Sequence, residues 1–284
     1  MFSLSAKSKV YGILGDPVAH SLSPLMQNHA LHSYNIDAVY VPFHVVPGDL
    51  SAAVAGLRAL NVAGVNVTIP HKETILPYLD QVDPAAQFIG AVNTVVNNNG
   101  TLIGYNTDAS GFISAIQQEL KFQPAGCDVL ILGAGGASRA AAVALATAGV
   151  KTMTVANRHQ TRAEDLMRDL EIHFPAVQFF ATNYQEEMFF DSLSSADLVV
   201  NTTSVGLHGE DVNFLPLENI KCSALIFDMI YSPTETPLIK SARSLGLLCA
   251  DGLGMLAAQG EDAFFLWTGI RLPSGFMRQC LVAG

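Results

Sequence analysis

Residues 128–149 read DVLILGAGGASRAAAVALATAG, and this stretch decides the fold. The apolar run from Asp128 to Leu132 predicts a buried strand, and the alanine-rich run from Ala137 to Ala148 predicts a helix. Between them lies a glycine-rich turn, Gly133-Ala134-Gly135-Gly136-Ala137-Ser138. A turn of this kind at a strand-to-helix junction is typical of Rossmann-type units, in which it binds the pyrophosphate of a dinucleotide.

The turn departs from the GxGxxG pattern only at Ser138, which stands at the third glycine position. That position requires a small residue because the helix packs closely against the strand, so serine is compatible with it. Gly133 and Gly135 allow a tight turn and a close approach of the backbone to the ligand. The N-terminal amides of the following helix then point at the pyrophosphate. We therefore predict that residues 133–138 bind a dinucleotide.

Further α/β units follow this turn. The pattern predicts strands at 152–156, 177–180, 198–201, 225–228 and 247–250, and terminal helices at 255–267 and 274–280. Alternation of this sort implies a mostly parallel sheet with right-handed crossovers. From the pattern alone, the terminal helices could cover either domain.

The first hundred residues also alternate between strand-like and helix-like patterns. We predict strands at 10–14, 39–45, 65–69, 92–96 and 102–105, and helices at 47–60 and 108–120. Another helix begins at Ser23-Pro24, with Ser23 as its N-cap. The sequence NNNG at 97–100 is a strong hairpin signal. With 284 residues, we predict a two-domain α/β protein, an N-terminal α/β domain plus a Rossmann-type doubly wound parallel sheet.

Composition excludes several classes of function. Half of the residues are hydrophobic and the formal net charge is −10, so we expect a globular chain that does not bind nucleic acid. The longest apolar stretch, Ala140 to Ala146, is far shorter than the ~20 residues that span a bilayer. Residues 1–10 lack the apolar core of a secretory signal, so we expect a cytoplasmic location. The four cysteines form no CxxC pair, and we expect buried free thiols and no metal site.

Two arginines after the second strand of the Rossmann unit point to NADP. NAD-preferring sites place an acidic residue about 20 residues beyond the glycines. This chain instead has Asn157, Arg158 and His159, followed by Arg162. Two guanidinium groups suit a 2′-phosphate, which a carboxylate would repel. The alternative is that both arginines are merely solvent-exposed residues at the start of a helix and bind no ligand.

A polar segment, Asn201-Thr202-Thr203-Ser204-Val205-Gly206, follows another strand of the same unit. Small polar residues at the carboxyl end of a strand lie where open α/β sheets bind ligands. The same residues could equally form a simple turn.

Two serines after the first strand suggest a carboxylate receptor. Ser21 and Ser23 would present two hydroxyls near a helix N-terminus. Ser23 has a structural explanation as the N-cap, whereas Ser21 has none.

Lys72 ends the segment NVTIPHK, which spans residues 66–72. A lone lysine is usually only solvated, but this one is accompanied by polar residues near predicted strand ends. They are Asn66, Thr68, Asn93 and the segment Asn106-Thr107-Asp108. A lysine paired with a carboxylate can relay the proton that accompanies a hydride transfer.

Motifs of one family run through nearly the whole chain. They are HSLSP at 20–24, NVTIPHK at 66–72, AVNT at 91–94, GYNTD at 104–108, GAGGASRA at 133–140, NRxxxRA at 157–163, NTTSVG at 201–206, DMIYSPTETP at 228–237 and DGLGMLAAQG at 251–260. In these motifs and their order, the chain resembles the shikimate dehydrogenases. His159 is a departure, because members of that family commonly have threonine there.

The resemblance implies that the chain has two domains with different functions. Residues 1–108 and 254–284 would form the substrate-binding and catalytic domain, and residues 109–253 the NADP-binding domain. The implied reaction is the reversible, NADPH-dependent reduction of 3-dehydroshikimate to shikimate, in the pathway to chorismate and the aromatic amino acids. A monomer and a homodimer are both compatible with it.

The resemblance also implies roles for individual residues. Lys72 and Asp108 would be the catalytic pair. Ser21, Ser23 and Tyr231 would bind the substrate carboxylate, and the ring hydroxyls would be bound by Asn66, Thr68, Asn93, Asp108 and Gln259. Met229 and Gly252 would contact the nicotinamide. The rest of NADP would be bound by residues 133–138, Asn157, Arg158, Arg162, Thr202 and Thr203.

Two other functions compete with this interpretation. One is a quinate/shikimate dehydrogenase that uses NAD or NADP, against which the NVT triplet and the paired arginines argue. The other is a noncatalytic NADP-binding regulatory protein, which would not need Lys72 and Asp108.

Overall fold

The computed structural model describes residues 4–232 and 234–283. Its strands are β1 (Lys9–Gly15), β2 (Ala38–His44), β3 (Gly64–Val67), β4 (Gln81–Val82), β5 (Thr94–Asn98), β6 (Thr101–Tyr105), β7 (Asp128–Leu132), β8 (Thr152–Ala156), β9 (Gln178–Thr182), β10 (Leu198–Asn201), β11 (Leu225–Asp228) and β12 (Leu248–Ala250). Its helices are α1 (Ser23–Ser33), α2 (Leu50–Ala59), α3 (Pro84–Ile89), α4 (Asp108–Glu119), α5 (Gly136–Thr147), α6 (Gln160–Glu171), α7 (Glu187–Ser195), α8 (Pro237–Ser244), α9 (Leu253–Thr268) and α10 (Phe276–Ala283).

The chain divides into two compact units. The first unit comprises residues 1–111 and 256–284, and the second comprises residues 112–255. The terminal helices, which the pattern alone could not assign, belong from residue 256 onwards to the first unit. The assignment of substrate binding to one unit and NADP binding to the other stays a prediction.

The first unit is built on a mixed sheet with strand order β2-β1-β3-β5-β6-β4. Strands β2, β1 and β3 are parallel, whereas β5 pairs antiparallel with both β3 and β6. Alternate residues of β1 are buried on opposite faces of this sheet, with Tyr11 and Ile13 in one core cluster and Leu14 in the other. Burial on both faces explains why β1 is an almost continuous apolar run in the sequence.

The second unit is built on a sheet with strand order β12-β11-β10-β7-β8-β9. Every pairing in it is parallel. The order reverses at β7, so the carboxyl ends of β7 and its neighbours form the switch point at which such sheets bind ligands. The glycine turn follows β7 and the NTTSVG segment follows β10, and both therefore lie at this point.

One local prediction about α1 is wrong. The helix begins at Ser23, so its N-cap is Leu22, which makes no side-chain capping bond. The Ser21 hydroxyl instead accepts a hydrogen bond from the Ser23 backbone N–H over 3.2 Å. Ser21 therefore does have a structural role, contrary to expectation.

The cysteines also differ from expectation. All four are free, but Cys222 is exposed and the other three are only partly buried. Cys222 lies in the turn before β11, which accounts for its exposure. Within the described part of the chain, no helix combines the length and apolarity that a membrane span requires.

Candidate active site

The backbone of Lys72 is fixed on both sides by hydrogen bonds. The chain turns after β3, where the His71 N–H donates to the Thr68 carbonyl over 2.9 Å. The buried His71 ring contacts the Val45 carbonyl through Nε2 at 2.6 Å. The Val92 N–H donates to the Lys72 carbonyl over 2.8 Å. The side chain of Lys72 thus extends from a rigid segment at the carboxyl end of the parallel strands.

Lys72 and Asp108 form a close, largely desolvated ion pair. Lys72 Nζ lies 2.6 Å from Asp108 Oδ2, and the two side chains are 21% and 8% exposed. Asp108 is the first residue of α4, where Asn106 Oδ1 accepts hydrogen bonds from the backbone N–H groups of Asp108 and Ala109. Such a charge-assisted bond is short and strong, and it fixes both groups.

Asn93 holds the other oxygen of this carboxylate. Its amide donates to Asp108 Oδ1 over 2.8 Å and to Thr107 Oγ1 over 3.0 Å. Its Oδ1 accepts from the Thr107 backbone N–H over 2.7 Å, which fixes the orientation of the amide. Asn93 is 3% exposed. Because both carboxylate oxygens are held, Asp108 has one orientation.

Asn66 and Gln259 complete this polar group. The Asn66 amide donates to the Asn93 carbonyl over 3.2 Å, and the Asn93 amide lies 3.4 Å from Gln259 Oε1. Gln259 reaches the group from α9, where its own amide donates to the Leu256 carbonyl. Residues from β3, α4, α9 and the segment before β5 therefore meet at one point in the first unit.

Thr68 and the serine segment lie at the same edge of the sheet. The Asp16 N–H donates to the Ile69 carbonyl over 2.9 Å, which joins the loop after β1 to the loop after β3. A Cβ on Gly15 would lie 2.3 Å from Thr68 Cγ2, so glycine leaves room for this threonine. Ser23 is buried at the start of α1 and Ser21 is partly buried. Among the described residues, no hydrogen bond joins either serine to Lys72 or Asp108.

The glycine turn of the second unit has the shape of a nucleotide cradle. Gly133 has φ of +106°, and a Cβ there would lie 2.7 Å from Thr202 Oγ1. Gly135 is the N-cap of α5, with no side-chain cap and with open space where a Cβ would be. The buried Ser138 hydroxyl donates to the Gly133 carbonyl over 2.7 Å. The serine at the third glycine position therefore stabilises the turn from its buried side, and the space next to Gly135 on the turn stays open.

The arginine segment follows β8 and precedes α6. Asn157 donates from its amide to the His159 carbonyl over 2.8 Å, and His159 is the N-cap of the helix. Arg158, His159 and Arg162 are exposed. Within residues 4–232 and 234–283, neither Arg158 nor Arg162 has an ion-pair partner among the salt bridges. Two cations without a carboxylate partner suit a phosphate dianion.

A buried carboxylate connects the NTTSVG segment to Met229. Asp228 is fully buried and accepts hydrogen bonds from the Asn201 amide and the Thr236 hydroxyl. Asn201 Oδ1 in turn accepts from the backbone N–H and the hydroxyl of Thr203. Burial raises the pKa of Asp228, and its hydrogen bonds counter part of that rise. A Cβ on Gly252 would lie 2.2 Å from the Met229 carbonyl, so these two segments touch.

Comparison with known proteins matches three segments of the chain to models of one family. Residues 13–95 match the shikimate dehydrogenase substrate binding domain, residues 115–212 match shikimate/quinate 5-dehydrogenase, and residues 252–281 match the shikimate 5′-dehydrogenase C-terminal domain. The NADP-dependent shikimate dehydrogenase of Geobacter metallireducens is 48% identical, over 99% of this chain and 98% of that protein.

The chain belongs to the shikimate dehydrogenase family.

Solved structures of this family superpose on nearly all of the chain. Shikimate dehydrogenase from Aquifex aeolicus gives a TM-score of 0.89 at 38% identity, covering 98% of this chain and 99% of that one. The enzyme from Thermus thermophilus, in complex with NADP(H) and shikimate, gives 0.85 at 36% identity, covering 97% and 99%. The predicted family and the two-domain α/β fold class are therefore confirmed.

Within the shikimate dehydrogenase fold, the structure brings some predicted site residues together and leaves others apart. In the first unit, hydrogen bonds connect Asn66, Lys72, Asn93, Asp108 and Gln259. In the second unit, the glycine turn meets Thr202, and Met229 meets Gly252. Tyr231 is partly buried three residues beyond β11, with burial raising its pKa, and its contact with substrate stays a prediction.

Several residues of the polar groups escape sequence reasoning. Thr94 and Asp228 lie inside the family motifs, but nothing in the motifs distinguishes a residue that orients another from one that binds ligand. Tyr40 lies outside every motif. The available signal was an aromatic residue with a hydroxyl in a buried strand, which needs a hydrogen-bond partner.

Proposed function

We propose that the protein is an NADP-dependent shikimate dehydrogenase that reversibly reduces 3-dehydroshikimate to shikimate, a step on the route to chorismate and the aromatic amino acids. The observation that carries the proposal is the Lys72–Asp108 pair at 2.6 Å, in a chain of this family. Residues 1–108 and 254–284 would bind the substrate, and residues 109–253 would bind NADP. The cytoplasmic location and the choice between monomer and homodimer stay predictions.

The polar group of the first unit suits a ring that carries several hydroxyls. We assign the hydroxyls to Asn66, Thr68, Asn93, Asp108 and Gln259, and the carboxylate to Ser21, Ser23 and Tyr231. The 3.4 Å bond between Asn93 and Gln259 is the longest in this group, and a substrate hydroxyl can replace it. Ser21 uses its oxygen to accept from Ser23, which leaves its proton to be donated to a carboxylate.

Lys72 supplies the proton in this mechanism. Its ammonium group has three N–H donors, one of which is directed to Asp108. We assign a second donor to the ketone oxygen of the substrate. The positive charge stabilises that oxygen as it becomes an alkoxide, and a proton then passes from Nζ to it. The hydrogen bond to Asp108 fixes the position of the ammonium group before the transfer.

The second unit has the features that NADP binding requires. The Gly133 to Ser138 turn would hold the pyrophosphate, together with Thr202 and Thr203, and the open position at Gly135 supports this fit. Arg158 and Arg162, with Asn157, would hold the 2′-phosphate. Met229 and Gly252 would contact the nicotinamide. When bound, NADPH supplies the hydride that reduces the ring ketone.

An assay that crosses two substrates with two cofactors tests this function. We expect the highest kcat/KM for shikimate with NADP, measured by the absorbance of NADPH. Equal or faster oxidation of quinate would favour a quinate/shikimate dehydrogenase instead. Tight NADP binding without turnover of either substrate would favour a noncatalytic NADP-binding protein.

A further inference from the structure

Tyr40 donates a buried hydrogen bond to Asn66, one of the proposed substrate-binding residues. Its hydroxyl lies 2.8 Å from Asn66 Oδ1, and the two residues are 2% and 4% exposed. Tyr40 is in β2 and Asn66 is in β3, with β1 between these strands. The ring of Tyr40 lies against Trp267, with 6.0 Å between the ring centroids.

The orientation of the Asn66 amide is fixed by its other partners. Its nitrogen faces the Asn93 carbonyl at 3.2 Å and Thr94 Oγ1 at 3.1 Å. A backbone carbonyl can only accept, so the nitrogen and not the oxygen must point towards it. Both amide hydrogens of Asn66 are therefore used within the protein. Asn66 Oδ1 accepts from Tyr40 with one lone pair, and its second lone pair remains.

The same bonds continue to the catalytic pair. Thr94 Oγ1 accepts from Asn66 and lies 3.2 Å from Asn93 Oδ1. The Asn93 amide holds Asp108, which holds Lys72. Tyr40 thus lies at the far end of a continuous series of side-chain hydrogen bonds that leads to Lys72.

We propose that Tyr40 is a positioning residue for substrate recognition. Its hydroxyl fixes Asn66 Oδ1 so that the remaining lone pair accepts a hydrogen bond from a substrate hydroxyl. Asn66 therefore recognises the substrate only as an acceptor. This inference rests on the proposed function, because it concerns the binding of shikimate by Asn66.

Tyr11 provides a matched control. It lies directly opposite Tyr40 in the pairing of β1 with β2, and it is also 2% exposed. Its ring stacks on the same Trp267 at 5.1 Å between centroids. Its hydroxyl reaches the Trp267 carbonyl at 3.5 Å, and no hydrogen bond within the described residues joins it to Asn66. Tyr11→Phe therefore removes a buried hydroxyl from a ring that contacts the same tryptophan, without removing a hydrogen bond to Asn66.

The test measures steady-state kinetics of Tyr40→Phe and Tyr11→Phe with shikimate and NADP. We expect Tyr40→Phe to raise the KM for shikimate about tenfold, because one hydrogen bond that orients Asn66 is lost. The KM for NADP should stay within about twofold, as should both KM values of Tyr11→Phe. An unchanged KM for shikimate in Tyr40→Phe would overturn the inference, and so would an equal rise in Tyr11→Phe.

A double-mutant cycle with Asn66→Ala separates positioning from a general loss of structure. If Tyr40 acts through Asn66, adding Tyr40→Phe to Asn66→Ala should change the KM for shikimate less than about twofold. A further rise of about tenfold, the effect expected for Tyr40→Phe alone, would overturn the inference. The double variant leaves no buried acceptor unpaired at this contact, so it can be compared with Asn66→Ala even if Tyr40→Phe does not fold.

The activity of the wild-type protein separates a failure of the proposed function from a failure of the positioning role of Tyr40. If it turns over shikimate with NADP while Tyr40→Phe keeps a normal KM, only the positioning role of Tyr40 fails. If the folded wild type turns over no shikimate, the proposed function fails and this inference fails with it.

Discussion

Asn93 and Lys72 hold opposite oxygens of one carboxylate, that of Asp108. Asn93 donates to Oδ1 over 2.8 Å, and Lys72 contacts Oδ2 at 2.6 Å. The orientation of Asp108, and through it that of Lys72, therefore depends on an uncharged amide.

Asn93→Ala is expected to lower kcat at saturating shikimate by roughly 10- to 100-fold, since removing a hydrogen bond to a charged group costs about 1.5–3 kcal/mol. Asn97→Ala is the control, because Asn97 lies in β5, where its side-chain amide donates to the Val62 carbonyl and accepts from the Gly100 N–H, away from Asp108. Equal kcat for Asn93→Ala and wild type would contradict the positioning of Asp108 by Asn93.

Lys72→Ala is expected to reduce kcat by about 10²- to 10⁴-fold, because the group that donates the proton is removed. The circular dichroism spectrum and the Kd for NADP, measured by titration calorimetry, should change little. Lys151→Ala serves as control, since Lys151 is 63% exposed. A Lys72→Ala variant with the wild-type turnover rate would exclude Lys72 as the proton donor.

Arg158→Ala is expected to weaken NADP binding by roughly 10- to 100-fold and NAD binding far less, because the guanidinium would bind only the 2′-phosphate. The control is Arg168→Ala, on the helix that follows, where the arginine pairs with Asp165 on the surface. Titration of both cofactors checks the prediction. If Arg158→Ala weakened NAD and NADP equally, the phosphate assignment would be wrong.

Ser138→Ala is expected to lower the free energy of unfolding by about 1 kcal/mol and to raise the KM for NADP, because the Gly133 carbonyl loses its buried donor. Thr147→Ala removes a comparable bond in α5, from the hydroxyl to the Val143 carbonyl at 2.8 Å. It should affect stability without changing the KM for NADP. Identical KM values for NADP in Ser138→Ala and wild type would show that the serine does not stabilise the glycine turn in the form that binds NADP.

Asp228→Asn is expected to change the pH dependence of stability. Burial raises the pKa of Asp228 above 3.8, so the folded protein binds a proton at pH values where the unfolded chain has lost it. The contribution of this carboxyl to stability therefore increases as pH falls through that window and is lost as pH rises. Urea unfolding at several pH values should show that the free energy of unfolding of the wild type, relative to that of Asp228→Asn, increases as the pH is lowered.

Asp37 provides a control of opposite sign for this pH effect. Hydrogen bonds from the Ser5 and Ser8 side chains lower the pKa of this exposed carboxyl. The contribution of Asp37 to stability is therefore present above the ordinary pKa of the carboxyl group and is lost as pH falls. The free energy of unfolding of the wild type, relative to that of Asp37→Asn, should therefore decrease on acidification. The same pH trend in both comparisons would contradict the assigned shifts.

The sequence predicted the second unit most closely. The strands at 128–132, 152–156, 198–201 and 225–228 have the predicted bounds, because each is a buried apolar run ended by polar or glycine residues. The hairpin was equally well marked. Asn99 and Gly100 both have positive φ, 52° and 93°, as the two-residue turn requires.

The contacts that orient the site could not be predicted from sequence. Tyr40 and Asn66 are brought together only by the order of strands in the first sheet, and neither residue type requires the other. The N-cap of α1 was misplaced by one residue, because a serine before a proline suits the N-cap while the hydroxyl of Ser21 supplies the bond instead. Residue types therefore indicate the chemistry of the site, whereas the hydrogen-bond partners come from the topology.

The environment of Trp267 has a practical consequence. It is the single tryptophan of the chain, and its indole donates to the Val95 carbonyl over 3.0 Å within the first unit. Fluorescence excited at long wavelength, where tyrosine absorbs little, therefore reports on that unit alone, whereas circular dichroism monitors both. Denaturation curves that coincide for the two probes would indicate cooperative melting, and curves that separate would reveal a partly folded species.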